Sequence, residues 1–340
     1  MGSTIVVGGF FGDEGKGKIV SHIAFTDKPV IIARGGIGPN AGHTIEVSGR
    51  RFGVRMIPSG FLYPNARLLI GAGVLIDPRV LLSETKLLEE AKRVGVDYRC
   101  AIIEKQHIAI DKDDPHLSRT IGSTGTGCGP AAADRARRTT IQAREVQELS
   151  PFLTDAAAET NQALEAEKNV ILEGSQGFGI SLFYGTFPYV TSKDTTASQI
   201  AADVGVGPTR IDETIVVFKT FPTRVGEGPF ETQMSEGEAK KLEIEEFGTV
   251  TGRPRRIGWW DSKMAAYSAM INGATQVAIT GLDKLDPNVR GVDKYDDLST
   301  KVRTFLREAE EQVGVPFTLL STGPELTEIV DLREEKLKRA

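Results

Sequence analysis

An aspartate, two lysines and five glycines crowd into eleven residues, Gly8-Gly9-Phe10-Phe11-Gly12-Asp13-Glu14-Gly15-Lys16-Gly17-Lys18. Backbone amides in such a loop cradle phosphate, and a lysine there reaches the outer oxygens. The spacing is not that of the common phosphate loop, G-x-x-x-x-G-K-S/T. Five residues separate Gly9 from Gly15, and Gly17 stands where Ser or Thr belongs. Asp13 is the odd addition. A carboxylate beside phosphate is repulsive unless it binds Mg2+ or moves a proton, so the loop points to one or both.

A second cluster runs Arg34-Gly35-Gly36-Ile37-Gly38-Pro39-Asn40-Ala41-Gly42-His43-Thr44. Placed after a strand-like run, His43 can donate a hydrogen bond or a proton as charge develops on transferring phosphoryl oxygens. His22, His107 and His116 have no such setting and read as structural. No Cys/His spacing points to zinc.

These residues need a scaffold that brings loops together. Thr4–Val7, the glycine loop, Lys18–Phe25 and Val30–Ala33 read as strand, loop, helix, strand, the opening of a parallel-sheet α/β fold. Further strands are expected at Arg67–Ile70, Ala101–Ile103, Asn169–Leu172, Thr214–Phe218, Gln276–Thr280 and Pro316–Leu319. Helices are expected at Pro78–Arg93, Val146–Ala166, Ser262–Asn272, Leu298–Val313 and Glu325–Leu337, and a hairpin at Thr44–Ile57 about Ser48-Gly49. The charge-rich stretch Ser235–Glu246 reads as a solvated helix face. The 37 glycines cluster at 8–17, 35–42, 122–129, 174–179, 205–207 and 226–228, consistent with backbone converging on phosphates. Repeats and Pro/Ser-rich linkers are absent, so one domain spanning 1–340 is expected: a mostly parallel central sheet flanked by helices, P-loop-NTPase-like, with long active-site loops and a small hairpin.

The net charge of −5 argues against a general nucleic-acid binder. Two cysteines imply no disulfide framework and fit a reducing cytoplasm. The N-terminus lacks a signal-peptide pattern, and no apolar run reaches the ~20 residues of a membrane span.

Ten motifs stand in the order found in adenylosuccinate synthetases, and the chain resembles the compact archaeal form of that family. They are G-D-E-G-K-G-K, N-A-G-H-T, I-P-S-G (57–60), G-A-G-V-L-I-D-P (71–78), S-T-G-T-G-C-G-P (123–130), E-G-S-Q-G (173–177), G-T-F-P-Y-V-T-S (185–192), F-P-T-R-V-G-E-G-P-F (221–230), T-G-R-P-R-R-I-G-W (251–259) and S-T-G-P (321–324). The resemblance implies a ligase in which GTP phosphorylates O6 of IMP and the amino group of L-aspartate then displaces that phosphate. It implies Asp13 as base and Mg2+ ligand, His43 as acid, and Gln176 as the side chain holding the 6-phosphoryl intermediate. Gly12, Glu14, Gly15, Lys16, Gly17, Gly42 and Thr44 match GTP-side positions, with Gly42 giving a carbonyl to Mg2+. Asn40, Thr124, Thr191 and Arg255 match IMP contacts. Arg138 matches an arginine that reaches the neighbouring subunit's IMP, which implies a homodimer.

Aspartate carries two carboxylates, and guanidinium forks bind carboxylates bidentately. Thr251, Arg253 and Arg255 are the expected receptor, Arg256 a weaker candidate; the acidic balance disfavours a nucleic-acid patch. Asp283, after Thr280-Gly281-Leu282, is placed to accept from guanine N1 and N2, a pattern adenine lacks. Ser321 and Gly323 match the other guanine contacts. Departures from the family are Gly281 for a lysine, Phe10-Phe11 for Gln-Trp, and Thr126 and Pro254 for arginines. Alternatives are a viral-type enzyme converting dGMP to 2-aminoadenylosuccinate, which Asp13 argues against, a GTP-binding regulatory protein without ligase activity, and a dethiobiotin-synthetase-like ligase, which lacks the later motifs.

Overall fold

The computed structural model describes residues 2–89, 91–242 and 255–337. Within them ten strands form one sheet: β1 (Ser3–Gly8), β2 (Ile31–Arg34), β3 (Arg67–Ile70), β4 (Val94–Asp97), β5 (Leu153–Thr154), β6 (Val170–Glu173), β7 (Glu213–Lys219), β8 (Gln276–Thr280), β9 (Phe317–Ser321) and β10 (Ile329–Asp331). The spatial order is β10-β9-β8-β7-β1-β6-β2-β3-β4-β5. All pairs are parallel except β9–β10. The central strands are mostly apolar and buried on both sides, as helices on both faces require. Along β1, Ile5 and Val7 pack into one core and Val6 into the other; Val216 and Phe218 of β7 oppose Ile215 and Val217 in the same way. This is the two-residue period of a strand with two buried faces.

Parallel order sends the loops after β1, β6, β2, β7, β8 and β9 to one end of the sheet. Helix α1 (Lys16–Asp27) starts directly from the first loop, after Gly15 in the left-handed region (φ 79°). It lies under a hairpin of His43–Val47 and Arg50–Val54, whose turn has positive φ at Ser48 and Gly49. A Cβ on Gly17 would come within 2.9 Å of His43 Cβ, so glycine there lets helix and hairpin touch.

Boundaries near the sheet centre match expectation; three elements do not. Val146–Ala166 is not one helix: Pro151 sits in a short 3-10 turn, Leu153–Thr154 is an edge strand, and Asp155 caps a new helix at Ala156–Glu165. Glu325–Leu337 contains β10, because Ile329 and Val330 are buried against the cores, and only Arg333–Lys336 is helical. Helix Pro78–Leu88 ends at a left-handed Glu89, and the following Val94–Asp97 is a strand the sequence reading missed. Its Gly95 packs where a Cβ would meet Leu69 at 2.7 Å. Ala101–Ile102 pairs with Leu75–Ile76 in a separate small sheet. Glu236–Lys241 is a short helix, as expected of that stretch. No helix among the described residues is long and apolar enough to cross a membrane.

Candidate active site

The glycine loop is shaped from within by Glu14. Its Oε1 accepts from Phe10 N (3.0 Å) and Gly12 N (2.7 Å), and its Oε2 pairs with Lys16 Nζ at 2.8 Å. Lys16 also donates to the Gly12 carbonyl at 3.3 Å. Glu14 and Lys16 are both buried, and the Glu14 carboxylate braces the loop from within. Gly12 needs its glycine: φ is 109°, and a Cβ would lie 3.1 Å from Gln176 Cα.

Asp13 stands on the open side of this loop. Its Oδ2 accepts from Lys219 Nζ (3.2 Å) and Thr223 Oγ1 (3.1 Å) and pairs with Arg255. The Asp13 carboxylate is thus faced by two cations and a hydroxyl. Burial draws the Arg255 guanidinium down to about 10.

His43 begins the hairpin and is backed by a buried charge group. Its Nδ1 bonds Glu173 Oε1, at the end of β6. Glu173 also accepts from Ser59 N (2.7 Å) and Ser59 Oγ (2.8 Å), and Arg34 Nη1 lies 3.7 Å away. Burial lowers the His43 imidazole's proton affinity, and Glu173 works to raise it. Burial pushes Glu173 up, yet His43, Arg34 and Ser59 hold it below its ordinary value. With Nδ1 taken by Glu173, Nε2 is the ring nitrogen left to act; His43 itself is buried behind the cleft lining. His43 Nε2, Asn40 Oδ1 and Gln176 Oε1 are all buried and have no hydrogen-bond partner among the described residues. Such orphans cost about 1–3 kcal/mol each unless a ligand supplies the partner. Gln176 is also held at φ 64°, rare for a residue with a Cβ.

A cleft joins Gly12, Asp13, Asn40, Gly42, Thr124, Gln176, Thr191 and Arg255, with Thr223 and Arg224 beside them. The Thr124 loop is pinned from below by Asp111, which accepts from Ser123 Oγ (2.6 Å) and Gly127 N (2.8 Å). Asp283, Ser321, Gly323, Gly15, Gly17 and Thr44 do not line this cleft. Gly17 lies in the first turn of α1 and the others border it, where Thr280 Oγ1 donates to the Glu14 carbonyl at 2.8 Å and ties the end of β8 to the loop. Burial raises the Asp283 carboxyl. Arg138 is exposed at the end of helix Cys128–Arg137 and is not in the cleft wall. Arg256 is engaged elsewhere, donating to the Gly226 and Gly228 carbonyls at 2.9 Å. Thr251 and Arg253 lie outside the described residues.

Four residues at the site escaped sequence reading as functional: Glu173, Lys219, Thr223 and Asp111. Glu173 and Thr223 belong to two of the ten collinear motifs, E-G-S-Q-G and F-P-T-R-V-G-E-G-P-F. Lys219 ends a strand and Asp111 sits in a helix, with no local pattern to mark either.

Among the described residues no three His, Cys, Asp or Glu side chains cluster as a metal cage. One carboxylate and one backbone carbonyl bordering a phosphate loop are nevertheless a fit donor set for Mg2+, which fills its shell with phosphate oxygens and water.

Known proteins point the same way. The family model described as adenylosuccinate synthetase matches residues 5–148 and 143–288. The adenylosuccinate synthetase of Archaeoglobus fulgidus is 65% identical over 337 residues, covering 99% of this chain and 100% of that one. That of Methanocaldococcus jannaschii is 57% identical over 335 residues, covering 98% and 97%. The fold resembles a fully ligated adenylosuccinate synthetase from Plasmodium falciparum, with a TM-score of 0.88, 24% identity and coverage of 96% and 99%. It also resembles a succinoaminodeoxyadenylate synthetase of cyanophage S-2L, with a TM-score of 0.81, 24% identity and coverage of 97% and 95%. Sequence, fold and site together place this chain in the adenylosuccinate synthetase family.

Proposed function

We propose that this ligase joins IMP to L-aspartate through a 6-phosphoryl-IMP intermediate, with Asp13 as base, His43 as acid and Gln176 as the intermediate's holder. Asp13 removes the N1 proton of IMP, and O6 attacks the γ-phosphorus of GTP while the bond to GDP breaks. His43 Nε2 hydrogen-bonds the phosphoryl group as charge develops on it. Lys16 and the amides of the glycine loop hold the nucleotide phosphates. Aspartate's amine then attacks C6, and phosphate leaves carrying the former O6. Phosphoryl transfer asks mainly for positioning and charge neutralisation, and these groups supply both.

The carrying observation is topological. Asp13, Gln176 and His43 follow β1, β6 and β2, which are adjacent in the sheet, so their loops meet at one end. Mg2+, which this family typically uses, would neutralise charge between the γ-phosphate and its leaving group. Asp13 and the Gly42 carbonyl are the residues to hold it. Asn40, Thr124 and Thr191 border the side of the cleft suited to the IMP phosphate, and Arg255, with Thr251 and Arg253, is the aspartate receptor. Asp283, Ser321 and Gly323 read guanine. Arg138 completes the site of a second copy in a homodimer, which its exposed position outside its own cleft permits. Cytoplasmic location follows from the family's substrates.

The test is turnover with IMP, aspartate, GTP and Mg2+, followed by the absorbance of adenylosuccinate. Product from IMP supports the reading; no product from IMP but turnover with dGMP overturns it. Mixing Arg138→Leu with Asp13→Ala subunits should restore part of the activity, and hybrids that stay inert contradict a shared site.

A further inference from the structure

Helix α1 opens with two lysines two residues apart, which therefore face different ways. Lys16 turns back toward Glu14 and Gly12. Lys18 runs to the opposite side and donates to Ser321 Oγ (2.8 Å), the Gly323 carbonyl (2.5 Å) and the Glu328 carbonyl (2.8 Å). An ammonium has three donors, and here all three are met.

The acceptors belong to one turn between β9 and β10, and they are linked to one another. Ser321 Oγ donates onward to the Gly323 carbonyl at 3.1 Å, and the Glu328 carbonyl also accepts from Thr322 N at 3.0 Å. A Cβ on Gly323 would lie 2.1 Å from Glu328 Oε2, so the turn closes tightly. Lys18 is buried. Burial draws it down to about 8, against the raising influence of Glu328, Asp283, Glu325 and Glu46. A charge desolvated this far from solvent, with only neutral groups bonded to it, is placed for organisation of the turn.

We infer that Lys18 is a positioning residue for base recognition: it fixes the Ser321–Gly323 turn that reads the purine of the nucleotide together with Asp283, and it takes no part in binding phosphate. The hydroxyl of Ser321 accepts from Lys18 and donates to Gly323, so it is not free to turn toward the base. The purine then meets the backbone of the turn, in a shape set by the ammonium. Loss of the ammonium frees that hydroxyl and loosens the turn, and discrimination between purines falls. This rests on the guanine reading given above and adds the residue that makes the guanine edge rigid.

The experiment is calorimetric binding of GDP, ADP and inorganic triphosphate to the wild-type chain, Lys18→Met and Lys18→Arg, with thermal unfolding as the check on fold. The wild type should prefer GDP to ADP. In Lys18→Met that preference should fall at least tenfold, with triphosphate affinity within about twofold of wild type. Lys18→Arg keeps the charge but presents a planar fork to acceptors arranged for an ammonium, so it should move the ratio the same way. Where Lys18→Met does not fold, Lys18→Arg and Ser321→Ala carry the same readout. An unchanged GDP-to-ADP ratio, or an equal loss for GDP, ADP and triphosphate, overturns the inference and returns Lys18 to the phosphates. A wild type that does not prefer GDP refutes the guanine reading itself, a result separable from either.

Discussion

Replacing Glu173 with glutamine separates the charge behind His43 from its shape. Glutamine is nearly isosteric and its amide oxygen still accepts from Ser59 N, now 2.7 Å from the carboxylate. Two things are lost: the counter-charge for Arg34 and the anion behind His43 Nδ1. Arg34 and Glu173 are both fully buried and 3.7 Å apart. At an effective dielectric near 20, that pair is worth about 4 kcal/mol. Breaking one side of a buried pair typically costs about 3–5 kcal/mol, because the remaining charge stays uncompensated. Glu173→Gln should therefore lose about 3 kcal/mol in urea unfolding. Its kcat should fall by about 10²-fold or more, the scale of a positioned acid, with a smaller change in KM for IMP. Ser59→Ala is the control, since it removes one hydroxyl bond to the same carboxylate (2.8 Å) and leaves the charges in place. It should lose about 1.5–3 kcal/mol, the range for bonds to charged groups, while keeping most of kcat. A Glu173→Gln enzyme that folds and keeps kcat within about threefold would refute the role assigned to the Glu173–His43 pair.

Three further outcomes follow from named contacts. Asp13→Ala should lower kcat by at least about 10²–10⁴-fold with an unchanged circular dichroism spectrum, because the side chain is part-exposed in the cleft; retained kcat contradicts its role as base. Arg255→Met should raise KM for aspartate by about tenfold or more, equivalent to one charge-assisted bond of about 1.5–3 kcal/mol; an unchanged KM for aspartate removes it from the receptor. Lys18 sits at about 8 in the fold against 10.5 unfolded. Between those values the unfolded chain binds more protons at this site, so its contribution to stability rises with pH, by at most about 3 kcal/mol. The difference in urea-unfolding free energy between wild type and Lys18→Met should shift in favour of wild type from pH 8 to 10.5, and a flat difference contradicts the burial of a charged Lys18.

The central strands were legible because they carry the strongest local signal. Arg67–Ile70 and Gln276–Thr280 are short apolar runs between turn residues, and the structure forms them at those limits. The Ser48-Gly49 hairpin was legible for a different reason, since both positions demand positive φ. Ile329–Asp331 was not, because its helical spacing competes with a tertiary fact: Ile329 and Val330 find burial only as an edge strand on Ser321, Leu320 and Leu319. The same divide runs through the site. Asp13 and His43 sit in glycine-rich loops, and glycine clusters announce themselves. Lys219 becomes a neighbour of Asp13 only because β7 lies beside β1, a pairing between residues 206 positions apart. Lys18 carried no role in the sequence beyond opening the helix, and only the turn after β9 shows where its donors go.

The central claim is that O6 of IMP is phosphorylated before aspartate displaces it. IMP carrying 18O at position 6, turned over with GTP, aspartate and Mg2+, tests this by mass spectrometry of the released phosphate. The mechanism requires the label in inorganic phosphate, one atom per adenylosuccinate formed. Unlabelled phosphate, with the 18O released to water, would contradict it.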